Sequence, residues 1–212
     1  MAIPTLDELQ KYNVNRAGQV EGIRQSLYDF QVYAAAGQTS LTFFQVPVGQ
    51  AGKTKADTNM ESAGQLPAPK RFFVESIEIM FFPGSAIDSF TIAAAALPQQ
   101  ADDVYTVMKS GFLDFFIGSK SYLTEAPIGR FPSKTGLKLH SAVASNSATV
   151  GEVKSEYANF GGQVYKLDPG ILLVPTQNFN LTLNWPTAVA LPSTVAARIG
   201  VVLNGILYRN SQ

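Results

Sequence analysis

The sequence predicts an all-β sandwich or barrel, and three observations predict it. From residue 27 onward, apolar side chains recur mainly with period two. About ten such runs are separated by Gly, Pro, Ser and Asn, and no long helical pattern alternates with them. One run, "NFNLTLNW" (178–185), alternates almost without error: Phe179, Leu181, Leu183 and Trp185 fall on one face, and Asn178, Asn180, Thr182 and Asn184 on the other. Asparagine is a poor strand former because its amide competes for local backbone hydrogen bonds, so the apolar face must pack well enough to overrule it.

The elements follow in chain order. Thr5 with Glu8 three residues on forms a capping box, and Leu6 and Leu9 make a short apolar stripe. Val20, Ile23 and Leu27 continue at helical spacing, interrupted by Gly18 and Gly22. Residues 1–25 therefore read as a helical extension lying on a neighbouring surface, and residues 26–212 as one domain. "LYDFQVY" (27–33) places Tyr28, Phe30 and Val32 on one face, and "SLTFFQVPV" (40–48) does the same for Thr42, Phe44, Val46 and Val48. These two form a hairpin or neighbouring sandwich strands, the second ending or running along an edge at Pro47, which has no N–H to donate. Residues 49–71 are a long polar stretch, read as a surface or interface loop.

"RFFVESIEIMFFPG" (71–84) is apolar on both faces and belongs in the middle of a sheet, with Phe73, Glu75, Ile77, Ile79 and Phe81 sharing one side. "SFTIAAAAL" (89–97) is a strand of small side chains. "ADDVYTVMKSG" (101–111) has Val104, Val107 and Met108 at helical spacing, acids at its start, a lysine near its end and a terminal glycine, which together predict a short amphipathic helix. Strands follow at 112–118, 120–126, 137–144, 162–167, 171–175, 178–185 and 197–209.

Composition limits the chemistry. There is no cysteine, which removes thiol nucleophiles, thiolate zinc sites and iron–sulfur clusters, and one histidine, His140, which removes a multi-histidine metal site. Alternation places His140 beside Lys138 on the face opposite Leu137, Leu139 and Ser141, and no G-x-S-x-G signature accompanies it. "GQAGKT" (49–54) departs from the Walker loop because position 47 is proline where that motif requires glycine. Glu75 and Glu78 fall on opposite faces of one strand, Asp102 and Asp103 read as helix-start residues, and Asn180-Leu181-Thr182 matches the N-glycosylation consensus inside a strand. Lys53, Lys55, Lys70 and Arg71 sit at the two ends of the long loop, offset by Asp57 and Glu61, and read as a solvated loop. Trp185 reads as core. No catalytic, cofactor-binding or metal-ligating residue is assigned, and no enzymatic activity is expected.

Sixteen basic and sixteen acidic residues give zero formal net charge, and charged residues make up 15% of the chain against about 25% in an average domain. Copies of such a chain repel one another little, which suits an assembly subunit. The first residues, "MAIPTLDELQ", have no basic segment followed by an apolar run, so the expectation is a soluble protein made in the cytoplasm.

The last third, "YKLDPGILLVPTQNFNLTLNWPTAVALPSTVAARIGVVLNGILYRNSQ" (165–212), has a Pro-bounded strand, a polar-faced strand ending in Trp-Pro, a proline-rich crossing and a final strand closing in "VVLNGILYR". This pattern resembles the end of jelly-roll capsid proteins of tailless icosahedral bacteriophages. The resemblance implies a single jelly roll, an eight-stranded Greek-key sandwich with extra short strands and one inserted helix. It further implies a virion protein that assembles with itself as trimeric or pseudo-hexameric capsomers and with other capsid proteins, the internal membrane and the genome being further candidate contacts. No basic arm is present, and 212 residues suit a single roll rather than a double one. The alternative is a receptor-binding or lectin-like sandwich with a ligand groove among the loops at 49–71 or 145–162.

Overall fold

The computed structural model describes residues 20–84, 100–125, 127–132, 137–145, 152–160 and 163–210. The capping box at Thr5 and the strand expected at 89–97 lie outside them. Within them the protein is all-β: eight antiparallel strands in two four-stranded sheets, one short helix and a separate two-stranded ribbon. The strands are β1 (Val20–Tyr33), β2 (Ser40–Phe43), β3 (Arg71–Phe82), β4 (Phe112–Ile117), β5 (Lys120–Glu125), β6 (Leu137–Ser145), β7 (Glu152–Phe160), β8 (Tyr165–Leu173), β9 (Phe179–Asn184) and β10 (Ala197–Asn210), with helix α1 at Gln100–Ser110. One sheet runs β1-β10-β3-β8, the other β2-β9-β4-β5, and β6 pairs with β7. The sandwich pairings are nested: β1 with β10, β2 with β9, β3 with β8, β4 with β5.

Alternation builds the core between the sheets. Phe179, Leu181 and Leu183 of β9, Leu113, Phe115 and Ile117 of β4, and Leu41 and Phe43 of β2 face Ile199, Val201 and Leu203 of β10 and Ile77, Ile79 and Phe81 of β3. Tyr33 stands edge-on to Trp185 at 5.2 Å between ring centroids and to Phe81 at 6.0 Å, a geometry that adds about 0.5–1.5 kcal/mol per pair beyond area burial. Phe30 of β1 lies over Gly200 of β10, where a Cβ would come within 2.1 Å of the ring.

A bulge breaks the expected alternation of β3. Asn204 pairs with Ser76 and Gly205 with Val74, leaving Glu75 as an extra residue. Before the bulge Phe72 and Val74 face the main core; after it Ile77, Ile79 and Phe81 do. Phe73, expected beside Ile77, instead packs with Ile206 and Tyr208 in a second cluster. On the other flank, residues 167–170 of β8 oppose the same Glu75, so the strands expected at 162–167 and 171–175 are two halves of one.

Other expectations also change. Residues 20–25, assigned from sequence to a helical extension, belong instead to the strand β1. The spacing of Val20, Ile23 and Leu27 that suggests a helix has a strand's cause: Leu27 joins the main core and Val20 packs on the second cluster beside Tyr208. β2 ends at Phe43 and not at Pro47, because Phe44 takes a left-handed φ of 68° and the chain turns there. β1 and β2 form no hairpin but lie in different sheets. The segment at 145–162 contains a strand, β7.

The sandwich is closed from within. On the β5 and β8 side, the 3-10 turn Ile128–Arg130 buries Ile128 and Phe131, and the Phe131 carbonyl accepts the Ile79 N–H at 2.9 Å. At one end, α1 takes the Trp185 indole N–H on the Val107 carbonyl at 3.1 Å, and buried Asp103 accepts the Ser193 N–H at 2.9 Å. On the β1 and β2 side, residues 44–70 fold against the edge of β1: Phe30 N–H donates to the Asp57 carbonyl at 2.7 Å, and Thr58, Met60 and Leu66 are buried.

That last closure centres on Asp29, which is fully buried. Its Oδ2 accepts the Phe44 N–H at 2.7 Å and its Oδ1 meets the Lys53 ammonium. Burial pushes the Asp29 carboxyl above its ordinary 3.8, and Lys53, the Phe44 N–H and Thr58 pull it back. The folded state thus holds this proton more tightly than the unfolded chain does. The resulting stability is complete below pH 3.8 and is lost as pH rises through the folded value. Asp57 has the opposite sign: the Thr54 N–H and hydroxyl lower it, so its contribution is present above 3.8 and lost as pH falls through the folded value.

Two outcomes are expected. Lys53→Met leaves a buried carboxylate uncompensated and costs about 3–5 kcal/mol at neutral pH. Urea titrations should show Asp29→Asn in the same chain recovering part of that loss, and the deficit of Lys53→Met shrinking as pH falls toward 3.8. Gly205→Ala puts a methyl group 1.8 Å from the Phe73 carbonyl oxygen. It should lower the thermal midpoint more than Gly22→Ala, whose Cβ meets only side-chain atoms at 3.3 Å or beyond.

Candidate assembly surface

The outward side chains of the β2-β9-β4-β5 sheet form three cross-strand rows. Thr42, Thr182, Asp114 and Thr124 stand directly opposite one another across all four strands. Ser40, Asn184 and Phe112 make a second row, and Asn180, Phe116 and Ser121 a third. The Asn184 amide donates to Asp114 Oδ2 at 2.9 Å, and Ser121 and Thr124 hydroxyls meet at 3.0 Å. Asp114 is the only ionisable side chain in these rows, and it is already bonded. The face therefore offers hydroxyls, amides and two half-buried phenylalanines. A partner docking on it desolvates few charges, and unpaired burial of charge is the larger penalty in contacts of this kind.

The opposite sheet carries a polar cleft of about 590 Å³ on its outer face. One row runs straight across it, Ser26, Asn204, Ser76 and Lys166. Ser26 Oγ donates to Asn204 Oδ1 at 2.7 Å, and the Asn204 amide donates to Glu78 and, at 3.4 Å, to Ser76. Arg24 bonds Glu75 at 2.8 Å on the rim. Glu75 and Glu78 were expected on opposite faces; the bulge at Glu75 lets both bond side chains that line the cleft. Nearby, burial first and the Glu75 charge second push the Tyr208 hydroxyl above its ordinary value.

The other residues singled out from sequence take structural places. "GQAGKT" is a tight turn in which Gly49 N–H bonds the Lys53 carbonyl at 2.9 Å, and its lysine points inward to Asp29, so the expected solvated role of Lys53 is corrected. Lys70 pairs with Glu61 and Arg198 with Asp57, while Arg71 is buried. The long loop is thus packed on β1 through Lys53, Thr58, Met60 and Leu66. Asp103, read as a helix-start residue, is buried and anchors Ser193. His140 lies in β6 with Tyr157 as its cross-strand partner, and Asn180 is half-buried in β9. Trp185 is core. Among the described residues no three His, Cys, Asp or Glu side chains group as a metal site. No family model, curated protein or solved structure matches this chain.

Charging the uncharged face tests its role. Thr42→Arg with Asn180→Arg should leave the folding free energy within about 0.5 kcal/mol, as exposed or half-exposed substitutions usually do. Self-association of the protein, followed by light scattering, should fall sharply; unchanged association would remove this face from consideration.

Proposed function

We propose that this chain is a self-assembling capsid subunit, a single jelly roll that tiles the shell of a tailless icosahedral bacteriophage. The nested pairing supports the jelly-roll part of the reading. An antiparallel ribbon that pairs its first strand with its last, its second with its seventh, and so on inward, and then curls into two sheets, is the jelly-roll topology. Counted without the β6-β7 ribbon, the four pairs here follow that order. A jelly roll hosts many functions, so the fold alone does not assign one.

The observation that carries the functional reading is the nearly uncharged hydroxyl and amide face of the β2-β9-β4-β5 sheet, on a chain of zero formal net charge. Such a face docks against its own kind at small desolvation cost. In this reading the protein works in the virion, its partners are copies of itself in trimeric or pseudo-hexameric capsomers and other shell proteins, and it catalyses nothing. A second reading, a lectin-like receptor-binding sandwich, draws on the hydroxyl- and amide-lined cleft above Asn204.

Particle mass across protein concentration and salt, by light scattering with negative-stain microscopy, separates the two. Shells, sheets or trimer-based capsomers are expected. A strictly monomeric protein under all conditions would overturn the capsid reading and make a glycan array the next step. His140→Ala should leave assembly unchanged.

A further inference from the structure

We infer that the first half of β1, Val20–Ser26, is an open sheet edge through which two copies of this chain join, antiparallel and about a two-fold axis, into one continuous eight-stranded sheet. The inference rests on the assembly reading above and names the contact.

The geometry comes from the loop that covers the rest of β1. Tyr28 N–H donates to Asn59 Oδ1 at 3.0 Å, the Tyr28 carbonyl accepts the Asn59 N–H at 3.4 Å, Phe30 N–H donates to the Asp57 carbonyl at 2.7 Å, and the Ser26 carbonyl accepts the Asn59 amide at 2.7 Å. The backbone groups of even-numbered residues therefore point away from β10. The β1-β10 register is unbroken from Val20↔Asn210 to Tyr33↔Ala197, so the same parity extends back along the strand. The N–H and C=O groups of Val20, Gly22 and Arg24, with the Ser26 N–H, face outward too. The loop's cover stops at Ser26, and among the described residues no backbone group caps these.

An unpaired strand edge is a template for another strand. β5, one of the two outer strands of the other sheet, is six residues long, opens with Lys120 and is bulged against β4, all features that blunt an edge. Val20–Ser26 has neither bulge nor proline. A second copy is the occupant because the stretch is self-complementary. Antiparallel pairing about Ile23 sets Val20 opposite Ser26, Gly22 opposite Arg24 and Glu21 opposite Gln25. Every outward group finds a partner, the Ser26 carbonyl using its second lone pair, and no like charges oppose. The Ile23 residues of the two copies meet as a non-hydrogen-bonded pair, with Cα atoms about 4.5 Å apart.

That pair makes the test, since the protein has no cysteine. In full-length Ile23→Cys, the expected spacing lies inside the range a disulfide accepts, about 4.4–6.8 Å. Mild oxidation should convert most of the chain to a reducible dimer, while Tyr122→Cys, on exposed β5, should stay monomeric on the same gel. Arg24→Pro removes one outward N–H and no bond to β10, so it should fold and lower the yield of dimer severalfold when combined with Ile23→Cys. Protein that assembles while Cys at position 23 stays a free thiol overturns the edge contact and leaves the assembly reading standing. A thiol unreactive toward small reagents in the monomer, as when residues 1–19 of the same chain cover the edge, also overturns it. Protein that never associates overturns both.

Discussion

A buried carboxylate in the middle of an edge strand organises this molecule. Asp29 points between the sheets, where Leu27 and Tyr33 of the same strand are core. Removing an ionised or polar carboxyl from water costs several kcal/mol unless partners replace the lost hydration. The partners are the Phe44 N–H and the Lys53 ammonium, both supplied by the chain that follows β2. Satisfying Asp29 therefore obliges residues 44–70 to fold back over β1. The left-handed turn at Phe44, the bonds from Asp57 and Asn59 to β1 and the burial of Met60 and Leu66 follow from that obligation.

The same closure decides which surfaces remain for other molecules. The loop covers β1 only as far as Ser26, and the 3-10 turn and α1 close other parts of the sandwich with their own buried residues. Among the described residues, what is left includes a face of hydroxyls and amides on one sheet, a polar cleft on the other and a short stretch of β1 edge that no described backbone group caps. On both sheets the polar groups are bonded to one another across neighbouring strands. Surfaces of that kind suit repeated, individually weak contacts between copies.

Much of the architecture was legible in the sequence because period-two alternation is direct where one face is buried. β9 and β10 follow from it, while the inserted helix follows from the helical spacing of Val104, Val107 and Met108 and the central place of β3 from its two apolar faces. Alternation failed at Glu75, where one extra residue shifts the phase; the phase slip is visible only if Phe72 and Val74 are weighed against Ile77 and Ile79 as rival core faces. It failed again at β7, whose "EVKSEYANF" is too polar to announce a strand. The Asp29–Lys53 pair had a faint signal: a lone acid on the face shared with Leu27 and Tyr33 demands a partner. Which of several lysines supplies it depends on a turn that brings position 53 back to position 29, and no local pattern encodes that distance. The hydroxyl and amide face was legible from the asparagines of β9, whereas its continuation through Thr42, Asp114 and Thr124 depends on register.

The central claim is that residues 44–70 belong to the folded core because Asp29 requires them. Native-state hydrogen exchange at the amides of Phe30, Phe44 and Asn59 tests it most directly. The account predicts that these amides exchange as slowly as those of β10, through global unfolding, and that Lys53→Met releases them first. Exchange at the rates of an exposed loop, with β10 still protected, would contradict it.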